Sequence, residues 1–477
     1  MLPTDDVIEE LLSDVNFFGD VADHTMIYVQ YKKDDGILRF NRCDSEEFKA
    51  CLRIWYKRVI GSNKPLDVKA LLTHISDHRL FYSDFPLVEA RTRTAGSLKT
   101  GIEYFLANET ASVIEIKDGY WGLAEQPQNY FLTPTIQKTQ VMPKKTDQNL
   151  TDLLAPIVNL KGDDLVLFAI WLTQAFSGGA HYGVMLSAER GSSKSTLTRL
   201  IKDILDPSKM RPMQLQTKLA DFQDVLADNY LCCYDNLRSI PEDYSDTLAA
   251  AITGSTVAKR VLYTTNTISY MQLSNTIVLN GVGLFPTESD LAERFLFFEM
   301  KKLTSDQLKP DSDIEQMFAE NRPYILGAIF ELLAKASLII KKPISSKPTR
   351  MASSYCEMLC IAKAMGISED KFDRIIKDNI KRLQKACAAT PLVQAVAEYM
   401  NGPGFGKRKI QLPSTDFYVK VRDNYSGKRS DLPSSAAAFS KRLKAEHDAL
   451  LTAGYGSLID DTGSASSVIT IIREKNQ

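Results

Sequence analysis

The stretch Tyr182-Gly183-Val184-Met185-Leu186-Ser187-Ala188-Glu189-Arg190-Gly191-Ser192-Ser193-Lys194-Ser195-Thr196-Leu197 decides how the rest of the chain is read. It opens as a short apolar run, predicts a loop from Ala188 to Ser193, and becomes helical through Thr198-Arg199-Leu200-Ile201-Lys202-Asp203-Ile204-Leu205. Strand, loop and helix in that order are what a phosphate-binding loop requires. Backbone N–H groups of the loop and of the first helical turn face the phosphates, and the helix dipole favours their negative charge. In such a loop Lys194 reaches the outer phosphates and Ser195 places its hydroxyl on Mg2+. Glu189, Arg190, Gly191, Ser192, Ser193 and Thr196 complete the segment around the phosphate chain. The usual pattern has glycine where this chain has Ala188 and Ser193, and Gly191 is the one glycine inside the loop. The competing reading of Lys194-Ser195-Thr196 is a solvated helix start.

Composition narrows the class. A chain of 477 residues is long enough for several domains, and 44% hydrophobic with 25% charged residues is ordinary for a globular protein. No apolar stretch is long enough to cross a membrane, and the acidic start Met1-Leu2-Pro3-Thr4-Asp5-Asp6 lacks a signal-peptide pattern. The seven cysteines, Cys43, Cys51, Cys232, Cys233, Cys356, Cys360 and Cys387, show no paired Cys-x-x-Cys spacing. Such usage points to reduced thiols in a cytoplasm and away from structural zinc. The net charge is −1, so any nucleic-acid surface must be local.

Residues 1–145 read as an α+β domain. Ile27–Tyr31 and Ile37–Phe40 predict a hairpin turning through Lys32-Lys33-Asp34-Asp35-Gly36, and Ser45 to Val59 predicts an amphipathic helix. Val113–Ile116 and Tyr120-Trp121 predict a second hairpin. His74 and His78 stand four apart on a helix, but no third metal ligand is apparent, so a packed or exposed pair is the expectation. Pro143–Asp147 reads as a linker, and helices follow over Leu150–Ile157 and Asp163–Phe176.

Beyond the loop, Tyr230-Leu231-Cys232-Cys233-Tyr234-Asp235-Asn236 is an apolar run ending in an acid. Asp235 at the end of a buried strand can hold Mg2+; the alternative is a cap of the next helix. Asn236 stands where many ATPases carry a glutamate. An amide cannot accept the proton of an attacking water, but it can orient that water. Ala258 to Leu273 reads as a hairpin carrying Lys259 and Arg260, with its turn at Thr264–Thr267. Thr276–Leu279 forms a further buried strand ending at Asn280, an amide suited to touch a γ-phosphate at the carboxyl edge of a parallel sheet. Arg294, in Asp290-Leu291-Ala292-Glu293-Arg294, is a candidate arginine finger acting across a subunit boundary.

The C-terminal part, residues 386–477, changes character. Between Asn401 and Ala445 stand 10 Lys or Arg against 3 Asp, including Lys407-Arg408-Lys409, Lys428-Arg429 and Lys441-Arg442-Lys444. Helices are expected over Pro391–Met400, Pro413–Asp423 and Pro433–Leu451, then a hairpin pairing Ser457–Ile459 with Val468–Ile472. This is the element order of a winged helix, with Pro433–Leu451 as recognition helix. Phosphate contacts by these cations would make binding salt-dependent; a solvated basic face is the plainer alternative.

The series Gly191-Ser192-Ser193-Lys194-Ser195-Thr196, Asp206-Pro207-Ser208, Tyr234-Asp235-Asn236-Leu237, Ala251-Ile252-Thr253-Gly254-Ser255, Val261-Leu262-Tyr263-Thr264, Leu279-Asn280-Gly281 and Asp290-Leu291-Ala292-Glu293-Arg294 resembles the AAA+ ATPases of phages and integrated mobile elements. Within them it is similar to the minichromosome-maintenance-like, self-loading replication helicases of staphylococcal islands and cassette chromosomes. In that group Ser or Ala before the loop lysine is usual, and Asp-Asn in the second motif also fits. The resemblance is strongest over residues 150–300. It implies an α/β P-loop ATPase core over 146–345, a helical lid over 346–385, and ATP and Mg2+ as cofactors. It also implies that Arg350, at the start of the lid helix, touches a neighbour's ATP; a surface arginine is the alternative. The whole predicts a cytoplasmic ATP-dependent DNA helicase and replication initiator, a homo-oligomer forming a hexameric ring on single- and double-stranded DNA. The alternatives are a DNA-binding regulatory or phage-defence ATPase without helicase activity, and a degenerate ATPase kept as scaffold.

Overall fold

The computed structural model describes residues 3–21, 23, 26–61, 65–82, 85–188, 192–237, 240–260, 268–281, 289–304, 309–342, 350–388, 390–402, 409–460 and 467–473. The chain opens with α1 (Asp5–Leu12), β1 (Asn16–Asp20), β2 (Ile27–Lys32) and β3 (Leu38–Arg42). β2 and β3 pair antiparallel with Gln30 opposite Phe40, as the turn at Lys33–Gly36 dictates. α2 (Glu46–Ile60) is capped at both ends: the Phe48 N–H donates to Ser45 Oγ, and Gly61 leaves the helix at φ +63°. Its apolar face buries Phe48, Cys51 and Leu52. α3 (Val68–Tyr82) and β4 (Leu87–Val88) follow, and the sheet runs β3-β2-β1-β4. Next come β5 (Ala90–Arg91), β6 (Thr94–Ser97), β7 (Gly101–Phe105), β8 (Val113–Lys117), β9 (Tyr120–Leu123) and β10 (Tyr130–Phe131). β6 to β9 form an antiparallel meander, which contains the predicted second hairpin, and β5 pairs with β10.

The middle of the chain is mixed α/β. α4 (Leu150–Leu154) and α5 (Asp163–Gln174) lead into β11 (Gly183–Ala188) and α6 (Lys194–Leu205). After them stand α7 (Leu219–Asp228), β12 (Leu231–Leu237), α8 (Glu242–Thr253), β13 (Ser255–Arg260), β14 (Ile268–Leu273) and β15 (Thr276–Gly281). Then come α9 (Ser289–Ala292), β16 (Phe295–Met300), α10 (Asp311–Ile339), α11 (Ala352–Ala364) and α12 (Glu369–Ala388). The central sheet has the order β12-β15-β11-β16, with β15 parallel to both neighbours. Val184, Met185, Leu186, Leu231, Cys232, Ile277, Val278 and Leu279 are all buried in it. A parallel sheet covered on both faces needs such unbroken apolar runs, and this is why they were legible in the sequence. β13 and β14 make a separate antiparallel hairpin. Its predicted turn lies outside the described residues.

The C-terminal end of α6 is held by the preceding α+β region. Gln140 Nε2 donates to the Ile204 carbonyl at 2.8 Å, and Tyr104 OH donates to the Leu205 carbonyl at 3.0 Å. These carbonyls have no partner within the helix, so outside donors must satisfy them. Arg93, wholly buried, donates from Nε to Asp206 Oδ1 at 2.9 Å and from its other nitrogens to the Phe105, Lys138 and Pro207 carbonyls. The Asp206-Pro207-Ser208 motif is therefore a docking point for residues 93–140. Under β11, His181 is buried and its Nε2 lies 2.7 Å from the Ser177 carbonyl. Burial holds the imidazole near a pKa of about 4, so it stays neutral.

The C-terminal part contains α13 (Pro391–Asn401), β17 (Lys409–Pro413), α14 (Ser414–Asn424), α15 (Ala436–Ala445), α16 (His447–Thr452), β18 (Tyr455–Asp460) and β19 (Val468–Arg473). The single helix expected over Pro433–Leu451 is corrected: it is two helices, broken at Glu446 (φ −97°, ψ 21°). The Glu446 carboxylate accepts from Arg442 Nε at 2.7 Å and from the Thr390 hydroxyl, which fixes the corner. β17, which the sequence reading did not identify, pairs with β19, giving a sheet of order β17-β19-β18. Phe439, Leu443, Phe417, Val421, Tyr399 and Ile469 share one core here.

Contacts divide the chain into two compact units. One comprises Met1–Leu237, Thr247–Val282 and Phe298–Ile375; the other comprises Arg238–Asp246, Gly283–Phe297 and Ile376–Gln477. Among the described residues no helix is long and apolar enough to cross a membrane.

Truncating Arg93 would leave the Asp206 carboxylate and three carbonyls without their buried donor. Arg93→Ala is expected to destabilise the first unit by about 3–5 kcal/mol, the range for breaking a buried pair from one side. Asp206→Asn, which keeps an acceptor, should cost less. Urea unfolding of the variants compares the two, and equal, small losses would remove this anchor from the account.

Candidate functional site

Three strands bring the predicted residues to one edge. Leu186 of β11 lies beside Asn280 of β15, and Tyr234 of β12 lies beside Leu279. All three strands run parallel, so the loop after β11, the pair Asp235-Asn236 and Asn280 meet at their carboxyl ends. The first turn of α6 then crosses over: Ser195 Oγ donates to Asp235 Oδ2 at 3.1 Å. Among the described residues no group of three or more His, Cys, Asp or Glu could hold a metal. A Ser–Asp pair fits Mg2+, which takes few protein ligands and completes its shell from water and phosphate.

A bulge aims the acid. Tyr234 pairs with Leu279 and Leu237 with Gly281, so Asp235 and Asn236 together oppose Asn280 alone. Asn236 adopts φ +59°, the left-handed region that asparagine tolerates better than most residues. Asp235 is half-buried and Asn236 is exposed. The bulge is thus a conformational reason for asparagine at 236, beside any catalytic one.

Lys194 opens α6. Burial lowers its ammonium below the ordinary lysine value, while the nearby Asp235 carboxylate works in the opposite direction. Asn280 is wholly buried; its Nδ2 donates to Thr198 Oγ1 at 3.3 Å, and Thr198 Oγ1 donates to the Lys194 carbonyl at 3.0 Å. Asn280 Oδ1 is a buried acceptor with no partner among the described residues. Thr198 was not singled out in the sequence, because a lone threonine inside a helix carries no spacing signal. Ser192 is buried, and Ser193 stands at φ +63°, ψ 27°, in the left-handed region. Thr196 lies half-buried in the first helical turn. Glu189, Arg190 and Gly191 lie outside the described residues.

Arg294 follows α9 and pairs with Asp290 at 3.2 Å; it belongs to the second contact unit. Arg350 is exposed in the turn before α11. Lys259 and Arg260 end β13, opposite Ser269 and Ile268, with side chains outside the described set. Lys407 and Arg408 lie outside it entirely. Lys409 opens β17 and is exposed, as are Lys428 and Arg429, the latter 3.3 Å from Asp423. On α15, Lys441, Arg442 and Lys444 are exposed while Phe439 and Leu443 turn inward. Arg442 is steadied by Glu446.

Residues 152–376 match the family described as actinomycete integrative conjugative element replication protein. No curated protein matches the chain. Among solved structures, the A-form apo structure of the NrS-1 C-terminal region aligns over 98% of this chain and 99% of that one, at 11% identity and a TM-score of 0.41. The apo structure of the same region, residues 305–718 of NrS-1, aligns over 98% of both chains at 12% identity and a TM-score of 0.39. The matched segment contains β11, α6, β12 and β15, so the part of the chain that builds the loop and its acid is similar to a replication protein of mobile elements.

Proposed function

We propose that this chain is an ATP-driven DNA helicase and replication initiator of a mobile genetic element, similar to the minichromosome-maintenance-like self-loading helicases. The observation that carries the reading is the Ser195–Asp235 contact at the carboxyl edge of a parallel sheet, directly after a strand–loop–helix. The similarity of residues 152–376 to a mobile-element replication protein supports the replication role.

In this reading the loop and the start of α6 bind the phosphates of ATP, with Lys194 on the outer ones. Ser195 and Asp235 would hold Mg2+, which neutralises charge on the β- and γ-phosphates when bound. Asn236 and Asn280 orient water and read the γ-phosphate, and Asn280 communicates with Lys194 through Thr198. Arg294, and Arg350 at the lid, act on ATP held by a neighbouring subunit of a hexameric ring. To do so Arg294 must leave Asp290, which balances its charge in the isolated chain. The β13–β14 hairpin, with Lys259 and Arg260, draws a DNA strand through the ring. The C-terminal unit binds duplex as a winged helix, with α15 as the groove-facing helix and Lys407, Arg408, Lys409, Lys428 and Arg429 on phosphates.

A second reading is a DNA-binding regulatory or phage-defence ATPase that does not unwind. Strand displacement on a forked duplex separates the two.

Lys194→Ala is expected to abolish ATP hydrolysis and unwinding while leaving duplex binding intact, and Asp235→Ala to abolish hydrolysis together with its Mg2+ dependence. ATPase rates equal to the parent would reject the site. Replacing Lys441, Arg442 and Lys444 together by alanine should weaken duplex binding on all sequences and flatten the salt dependence by roughly 0.9 per lost phosphate contact. An unchanged slope in a salt titration would move DNA binding elsewhere. Arg294→Ala should bind ATP yet hydrolyse it about 10³–10⁵-fold more slowly. Mixing it with Lys194→Ala subunits should restore activity, because one interface then pairs an intact loop with an intact finger. A flat, near-zero ATPase across mixing ratios, with assembly confirmed, argues against action in trans.

A further inference from the structure

Asn159 stands between α4 and α5 and reaches the phosphate loop from outside. Its Nδ2 donates to the Ser192 carbonyl at 3.2 Å and to the Lys301 carbonyl at 2.7 Å. An amide nitrogen carries two hydrogens, and both are used here. The orientation is fixed by its partners, since the reverse would set the amide oxygen against two carbonyl oxygens. Ser192 lies in the loop two residues before α6, and Lys301 directly follows β16.

The place that Asn159 grips is the strained one. Ser193 occupies the left-handed region at φ +63°, ψ 27°, where a Cβ is disfavoured and glycine is at ease. No side-chain hydrogen bond from Ser193 caps the helix. The Ser192 carbonyl and the Ser193 N–H lie in one rigid peptide plane. Holding that carbonyl orients the plane from which φ at Ser193 is turned, and with the start of α6 in place it restrains that angle.

We propose that Asn159 is a positioning residue for the phosphate loop, an external strap that holds the Ser193 backbone in place of the missing glycine. The proposal rests on the reading of this loop as an ATP site. Its signature is a coupling: what is lost at Asn159 should be regained, in part, by glycine at 193.

The test uses the full chain and measures the affinity of a fluorescent ATP analogue with Mg2+, alongside the thermal midpoint without nucleotide. Lys194→Ala serves as the reference for loss of the site. Asn159→Ala should weaken nucleotide binding about tenfold, the effect of losing roughly one net hydrogen bond to the loop. Asn159→Asp, nearly the same shape but unable to donate, should weaken it further, because a carboxylate then faces two carbonyls. Asn159→Ala/Ser193→Gly should recover at least half of the logarithmic loss of Asn159→Ala, read against Ser193→Gly alone as the reference. If the alanine variant does not fold, Asn159→Asp with and without Ser193→Gly reads the same coupling. Affinities within twofold of the parent for the Asn159 variants, or strictly additive losses in the double variant, would overturn the strap while Lys194→Ala still abolishes binding. Parent-like binding by Lys194→Ala would instead overturn the ATP site itself.

Discussion

Everything at the candidate site depends on β15 lying between β11 and β12 in parallel with both. Neighbouring strands stand about 4.8 Å apart, so the loop strand and the acid strand are separated by about 10 Å. β11 and β12 are not paired with each other. The gap is bridged by the first turn of α6, where Ser195 meets Asp235. The same arrangement puts Asn280, on the intervening strand, beneath that turn, where Thr198 links it to the Lys194 carbonyl. One strand order thus assigns all three polar ends their places.

Among the described residues five that are not glycine adopt positive φ, Ala107, Ala111, Asp118, Ser193 and Asn236, and the last two lie at this edge. Such conformations cost on the order of 1–3 kcal/mol each and persist only where surroundings over-determine them. At Asn236 the surroundings are the bulge against Asn280 and the parallel pairing on either side of it. At Ser193 they are the buried Ser192 and the amide of Asn159. The absence of glycine before the lysine is therefore not evidence of a degenerate loop. The conformation that glycine would supply is present, and the force that holds it comes from elsewhere in the chain.

The parts that were legible in the sequence are those written in local patterns. The apolar run before Ala188, the run ending at Asp235 and the one ending at Asn280 announce buried strands, and each polar terminus marks a strand end. The hairpins at Lys33–Gly36 and Asp118-Gly119 carry their own turn chemistry. Arg93 and Asp206 are far apart in sequence, and nothing in the neighbourhood of either predicts the pair. Asn159 and Thr198 are single polar residues whose meaning comes from the carbonyls facing them. The break at Glu446 is invisible because its neighbours keep helical periodicity; what ends α15 is a carboxylate drawn to Arg442 and to Thr390, a residue 56 positions away. β17 is five residues long and ends at Pro413, and its place in the sheet comes from pairing with β19.

α6 is held at both ends, and this limits what the site can do. At its start stand Lys194 and Ser195; at its end the Ile204 and Leu205 carbonyls are taken by Gln140 and Tyr104, and Asp206 by Arg93. Twelve residues span about 18 Å. Lys202, nearly buried on the same helix, points its ammonium to the Leu231 carbonyl at the start of β12. The C-terminal end of α6 cannot fray without breaking buried hydrogen bonds and a buried ion pair. The region whose chemistry the sequence left unread is therefore fastened, residue by residue, to the helix that carries the loop lysine.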